Sequence, residues 1–409
     1  MVIVRKLSRH LAIPIGLAAL LLIGLVAMLN HSRQNTAVLY IKDHSGNRSA
    51  IEPIVVSGDI SDRYASTRFE IKNGELTKHS EVYDPPVLIP DHYKYVPGMK
   101  KRIDGLDYEV RGEYAYYVTY QDSNPLNNGI IGKSSLVNTA IVNLNNTYSN
   151  ALENGLAKIG EHMYFTVPTT ADSTGANGIY ELSFAEDGTT RTVAEYSLDQ
   201  NKEGNSLIVL GLASAGDKLA LIMKENGHVV VRGYDPNNGQ MIGQMVLDQL
   251  DNVYSDQYEA FSNNQVLNLV FQKTSVSDYD IRTHKSVWSI DFHNGMRLID
   301  QTNLDYENNW HDNFRSRMAV HYLDGRLYVM CTSTEPRTDE QQFLDSFRPI
   351  HLLIRVYQAN ELLYEGEIMS DLNDDRTNTI NLPEGQSFDL QPYEYRMYDH
   401  LQLQARGEE

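Results

Sequence analysis

One pattern recurs five times along this 409-residue chain: a small or turn-forming residue, a polar neighbour, then a short apolar and aromatic run. It reads Gly112-Glu113-Tyr114-Ala115-Tyr116-Tyr117-Val118, then Gly160-Glu161-His162-Met163-Tyr164-Phe165-Thr166, then Gly216-Asp217-Lys218-Leu219-Ala220-Leu221-Ile222. It returns as Asn263-Asn264-Gln265-Val266-Leu267-Asn268-Leu269 and as Asp324-Gly325-Arg326-Leu327-Tyr328-Val329-Met330, at successive intervals of 48, 56, 47 and 61 residues. A period of that size marks a supersecondary unit that buries its apolar faces only by stacking on its neighbours.

Each copy follows another short apolar run, at residues 106–110, 155–159, 207–213, 258–261 and 318–322, and the link between the two fits a tight antiparallel hairpin. A second hairpin then follows. Residues 180–184 lead into Glu186-Asp187-Gly188, 229–234 into Asp235-Pro236-Asn237-Asn238-Gly239, and 287–292 into His293-Asn294-Gly295, where Asn-Gly suits the positive φ values of a two-residue turn. Residues 141–144 and 352–357 are weaker versions. Four strands per period with almost no helical periodicity predict an all-β chain, a β-propeller of six or seven four-stranded blades. An N-terminal hairpin around Asn73-Gly74 and C-terminal strand material at residues 388–390, 393–397 and 400–403 complete the count. Both ends in one blade would close the ring and leave no open edge, which is the expectation here over an open sandwich or solenoid.

In this pattern, over about residues 50–405, the chain resembles the broad class of WD40-like and YVTN-like propellers. It lacks the Gly-His and Trp-Asp dipeptides of WD40 repeats and the Kelch double glycine, so the resemblance implies the fold and transfers no functional residue.

Residues 11–29 carry no charge and are rich in Leu, Ile and Val. As a helix they span roughly 28 Å, close to the hydrocarbon thickness of a bilayer. Arg5, Lys6 and Arg9 precede them, which keeps the first residues cytoplasmic and sends the remainder outside. The exit, Leu25-Val26-Ala27-Met28-Leu29-Asn30, has no small-residue pair at the spacing of a cleavage site, so an uncleaved signal-anchor is expected over a secretory signal. The expected organisation is a cytoplasmic stub over 1–10, a single-pass transmembrane helix over 11–29, a polar tether over 30–50 and a propeller domain over 51–405. That places the chain in the plasma membrane with its bulk extracytoplasmic.

With 35 Lys and Arg against 54 Asp and Glu, the net charge of −19 argues against nucleic acid as a partner. An apolar fraction of 41% is enough for a buried core. The single Cys331 follows an apolar strand and is expected to be a small buried residue; it offers neither a disulfide nor a Cys-rich metal site.

No Gly-x-Ser-x-Gly elbow and no His-Glu-x-x-His pair occurs. Asp199-x-Asn201-x-Glu203-Gly204 imitates the first half of a calcium loop, but Leu210 stands where the bidentate Glu belongs. Asp371-Leu372-Asn373-Asp374-Asp375 is a second oxygen-rich cluster, read as a solvated turn, and Trp310 lies in a polar segment at the rim. Thr338 with Gln341, and Phe343 with Phe347, predict a short helix over 338–347. No catalytic or cofactor-binding residue is assigned, no cofactor is expected, and metal ligands stay undetermined. These features favour an extracytoplasmic binding or scaffold module for a protein, peptide or envelope glycan. The alternatives are a polysaccharide hydrolase or lyase, and the sensory part of a membrane signalling complex.

Overall fold

The computed structural model describes residues 16, 18–26, 28, 39–61, 65–83, 100–103, 106–112, 116–122, 131–137, 141, 152–184, 190–199, 205–247, 258–277, 280–308, 318–334, 350–370 and 397–407. Strand β1 is Leu39–Gly46, followed by β2 (Ile54–Ser61), β3 (Ala65–Lys72) and β4 (Glu75–Val82). Next come β5 (Lys100–Ile103), β6 (Leu106–Gly112), β7 (Tyr116–Asp122) and β8 (Ile131–Val137), then β9 (Leu156–Ile159), β10 (His162–Phe165), β11 (Ala176–Glu181) and β12 (Arg191–Ser197). A fourth group is β13 (Leu207–Ala215), β14 (Lys218–Glu225), β15 (His228–Tyr234) and β16 (Met241–Leu247), and a fifth is β17 (Tyr258–Asn263), β18 (Val266–Ser277), β19 (Asp280–Asp291) and β20 (Arg297–Asn308). The last are β21 (Met318–Leu323), β22 (Arg326–Thr334), β23 (Ile350–Gln358), β24 (Glu361–Ser370) and β25 (Met397–Ala405).

These strands form six antiparallel sheets. Sheets two to five are simple meanders. The first has the order β25-β2-β3-β4, so the C-terminal strand completes a sheet begun by the N-terminal ones. The sixth, β21-β22-β23-β24, gains β1 as a fifth strand on its outer edge. The two chain ends therefore interlock across adjacent sheets, and the arrangement is propeller-like.

Buried side chains explain why the strands read as nearly continuous apolar runs. They fall into clusters that each lie between two successive sheets: second and third, third and fourth, fourth and fifth, fifth and sixth, sixth and first. Successive side chains of a strand point to opposite faces. In β22, Tyr328 and Met330 enter the core shared with the first sheet, while Leu327, Val329 and Cys331 enter the one shared with the fifth. Both faces are thus covered, and each large apolar side chain so buried contributes roughly 1.5–3 kcal/mol.

Turn chemistry sets the registers. Asn73-Gly74, Asn226-Gly227 and Asp324-Gly325 all have positive φ at both central positions, which matches the twist of the flanking strands. Gly160 and Gly216 are positive at the first position only. The loop after β19 differs from expectation: Asp291 pairs with Arg297, leaving five residues between them, and only Gly295 is positive at +94°. The Asp291 carboxylate accepts from the His293 amide at 2.9 Å and builds the turn instead.

The repeat copy at Gly112 is out of phase. The other copies straddle the first and second strands of a sheet, whereas Gly112 ends β6, the second strand of its sheet. The innermost strand there is β5, which Lys100-Lys101-Arg102 had hidden, and Asp104-Gly105 is the sequence counterpart of Asp324-Gly325. The tether expected over 30–50 also needs correction, because Leu39–Gly46 is a strand paired with β24 and Arg48–Ile51 is a 3₁₀ turn. Of the strand expected over 141–144, Ile141 is not in a strand and 142–144 lie outside the described residues; the fourth strand of this sheet is β8, which ends at Val137.

Among the described residues no helix is long and apolar enough to cross a membrane. Within the expected span, residues 16, 18–26 and 28 are helical. Their large apolar side chains lie exposed, Leu20 at 68% and Leu21 at 72%.

Candidate functional site

The first strand of each sheet lies innermost. The innermost strands pack in the order β9, β13, β17, β21, β25, and the Lys101 ammonium of β5 reaches β9 by donating to the Leu156 carbonyl at 2.8 Å. They enclose two concavities. One, of about 510 Å³, is bounded by β5, β9, β13 and β17. The other, of about 420 Å³, is bounded by β17, β21 and β25. Both share Ala260 and Ser262, so all six innermost strands contribute to one axial region.

Small side chains leave this space open. Ser214, Ala260 and Ser262 line it where larger residues would fill it, with Ala157 and Ala213 buried in the adjoining cores. The charged residues of the larger cavity are Lys101, Lys158 and Glu161, the last on the hairpin turn after β9. The smaller one carries His321, which is buried.

Lys101 sits in a distinctive environment. Burial pulls its ammonium down to about 8, while the carboxylate of Glu153 opposes that shift. Glu153, in the 3₁₀ turn Leu152–Gly155 ahead of β9, is itself buried. The same carboxylate adds to the burial that pushes the Tyr258 phenol up. Tyr258 lies against the backbone of β13, where a Cβ on Gly211 would come 2.1 Å from the phenol oxygen and 2.4 Å from the Asn154 carbonyl. Glycine is therefore required at 211 by close approach. The result is a grouping of a half-buried Lys101 with the buried Glu153 and Tyr258 beside the axis, with an amine that titrates closer to neutrality than an ordinary lysine.

Away from the axis, carboxylates bridge strands laterally. Glu367 of β24 accepts from His44 of β1 at 2.7 Å and from His351 of β23 at 2.5 Å. Asp59 of β2 accepts from His400 of β25 at 3.0 Å and from Arg68 of β3 at 3.2 Å. Glu181 of β11 is held by His162 at 2.7 Å and by Arg191 of β12. In all three, burial raises the carboxyl but the hydrogen bonds and charges of the partners outweigh it, so each stays below its ordinary range. The first two bridges join the terminal strands β1 and β25 to their sheets.

The residues singled out in the sequence do not converge. Cys331 is fully buried, as expected, with its thiol pushed up by burial. Asp199 serves a turn, its carboxylate accepting from the Gly175 amide at 3.0 Å, while 200–204 lie outside the described residues. Leu210, at the place of the bidentate calcium ligand, is buried in β13. The segments around Trp310, 338–347 and 371–375 also lie outside the described residues. Among the described residues no group of three His, Cys, Asp or Glu side chains could hold a metal ion. Lys101 and Glu153 were missed; the one available signal was a run of three cations in an acidic chain.

No family model and no curated protein matches this chain. Among solved structures, it is similar to the β-propeller domain of the Trilobed protease from Pyrococcus furiosus, at 9% identity and a TM-score of 0.30, covering 66% of this chain and 72% of that one. It is also similar to the Synechocystis apocarotenoid oxygenase, at 9% identity and a TM-score of 0.31, over 85% of this chain and 92% of that one. A prolyl endopeptidase matches at 10% identity and a TM-score of 0.33, over 77% of this chain and 51% of that one. The architecture rests on strand order and register, and likenesses at TM-scores near 0.3 add nothing to it.

Proposed function

We propose that this protein is a membrane-anchored, extracytoplasmic binding module: a closed six-bladed propeller whose axial cavity receives part of a protein, peptide or envelope glycan. The observation that carries the reading is the cavity itself. It is concave, built by the innermost strands of every sheet, walled by small side chains and supplied with a few polar groups, which is the usual make-up of a ligand site. The anchor is supported by the exposed apolar helical residues Leu20 to Val26, whose side chains suit lipid, and by the Arg5, Lys6 and Arg9 that precede them.

Two experiments test it. Full-length protein in detergent is used to capture ligands from solubilised membrane proteins and from isolated envelope polysaccharide. Wild type is expected to retain a specific species and the cavity-filling Ala260→Trp, at an exposed position lining both concavities, to lose it; equal retention by both would refute the axial site. Alkaline carbonate washing of membranes is expected to leave the protein in the pellet, and its release into the wash would refute the anchor.

A second reading has one observation in its favour. An amine brought down to about 8 on the cavity wall lies within reach of general-base work, so a polysaccharide lyase or hydrolase is the alternative. Shortening of a retained polysaccharide on incubation would select it.

A further inference from the structure

The strand ends sort onto two faces of the molecule. In the sixth sheet Leu39 pairs with Ser370, at the end where β22 stops and β23 starts, whereas Gly46 lies at the end that carries the turns after β21 and β23. Contacts between sheets put the corresponding turns of the others on that second face. A Cβ on Gly74, in the turn after β3, would lie 3.5 Å from the Arg48 side chain just beyond β1, and one on Gly216, after β13, would lie 3.0 Å from the Asn264 carbonyl, after β17. Arg191, at the turn after β11, donates to the Pro236 carbonyl, after β15, at 2.9 Å. Both axial concavities reach this turn face. Gly160 and Glu161, exposed on the turn after β9, line the larger, and Asn263 and Asn264, at the turn after β17, line the smaller. The chain enters its first strand from the opposite face.

We propose that the axial cavity opens away from the bilayer and takes a water-soluble ligand from the extracytoplasmic space, not a lipid headgroup or the membrane-proximal part of a neighbouring membrane protein. This rests on the proposed anchor and on the cavity being the ligand site, and adds the side from which the ligand comes. Nine residues, 30–38, separate the apolar run from Leu39. Fully extended, such a connection reaches at most roughly 30–35 Å, so Leu39 stays within that distance of the hydrocarbon edge. The eight residues of β1 set the two faces about 26 Å apart at this edge of the molecule. With the Leu39 face toward the bilayer, little of that reach is needed. With the turn face toward it, the connection would run back along the whole sheet edge and through a headgroup layer of roughly 6 Å, almost fully extended and at the cost of its backbone freedom. Charge also disfavours a lipid ligand. Arg5, Lys6 and Arg9 are the only Lys, Arg, Asp or Glu among the first 29 residues, so of the whole-chain −19 the remainder carries −22 and has no attraction for anionic headgroups.

The test is energy transfer from a dye on the full-length protein, reconstituted in phosphatidylcholine vesicles, to a lipid-borne acceptor. Cys331 is the single cysteine and is fully buried, so an introduced surface cysteine takes the dye selectively. Tyr40→Cys, exposed beside Leu39, marks one face; Glu161→Cys and Asp217→Cys, exposed on the turns after β9 and β13, mark the cavity mouth. Transfer from Tyr40→Cys is expected to exceed that from either mouth position at least about twofold, given faces some ~26 Å apart. Equal transfer from the two faces, or stronger transfer from the mouth, would overturn the proposal. In detergent, phosphatidylglycerol added in mixed micelles is expected to leave the emission of the Glu161→Cys dye unchanged. A saturable change that Ala260→Trp abolishes would put a lipid headgroup in the cavity and overturn it as well. Flotation with the vesicles separates the two levels: protein that does not float refutes the anchor and the inference with it, whereas protein that floats with equal transfer at both faces refutes the inference alone.

Discussion

At the scale of single residues, the bridging carboxylates govern how the fold responds to acid. Glu367, Asp59 and Glu181 have folded-state values below their ordinary ones. Such groups add stability that is fully present above the ordinary carboxylate range, about 4, and is lost as pH falls through the depressed folded value. The unfolding midpoint is therefore expected to drop on acidification from pH about 5 downward. Glu367→Gln should cost about 1–3 kcal/mol at neutral pH, because the buried acceptor of two histidines loses its charge, and the difference from wild type should shrink in acid. Urea unfolding at several pH values measures both effects; a penalty that is the same at every pH would show that the bridge carries no charge-dependent stability. Lys101 has the opposite sign. Its lowered folded value means the unfolded chain binds more protons between about 8 and 10, so stability rises with pH there, and Lys101→Met should flatten that rise.

At the scale of elements, hairpin turns decide both stability and legibility. The turn between β23 and β24 holds Ala359 at φ +50° and Asn360 at +66°, a geometry that suits Asn or Gly at its first position. Ala359→Asn is expected to stabilise by about 0.5–1 kcal/mol, read as a higher denaturant midpoint at unchanged slope. Gly239, in the β15–β16 loop, has φ +71°, and a Cβ there would lie 1.9 Å from the Val193 carbonyl of the third sheet. Gly239→Ala should cost more than about 2 kcal/mol by forcing two sheets apart, and a near-neutral result would contradict that close approach. Elements whose turns carried Gly or Asn and whose strands were apolar on both faces, such as β13, β14, β21 and β22, were readable from the residues alone. β1 was not, because Asp43-His44-Ser45-Gly46 has the composition of a loop, and its strand exists through pairing with β24, more than three hundred residues away. β5 was hidden by its cations. The axial grouping was illegible for the same physical reason, since Lys101, Glu153 and Tyr258 belong to different sheets and turns and meet only once the sheets stack.

At the scale of the whole molecule, the two termini do what the hairpin count suggested and more. β25 supplies the innermost strand of the first sheet, and β1 adds an outer strand to the sixth. Ser57 lies opposite Gln402 in the β2–β25 ladder, so a Ser57→Cys, Gln402→Cys double variant is expected to form an intramolecular disulfide and raise the unfolding midpoint. Failure to cross-link under mild oxidation would mean that the ends do not share a sheet. No outermost strand is among the described residues that line the axial cavities, which is why ligand contact is assigned to the inner strands. Hydrogen exchange on the full-length protein, with and without a saturating captured ligand, tests that assignment most directly. Added protection is expected in Lys101–Ile103, Leu156–Ile159, Leu212–Ser214 and Ala260–Ser262, with β4, β12 and β16 unchanged. Protection confined to those outer strands would contradict it.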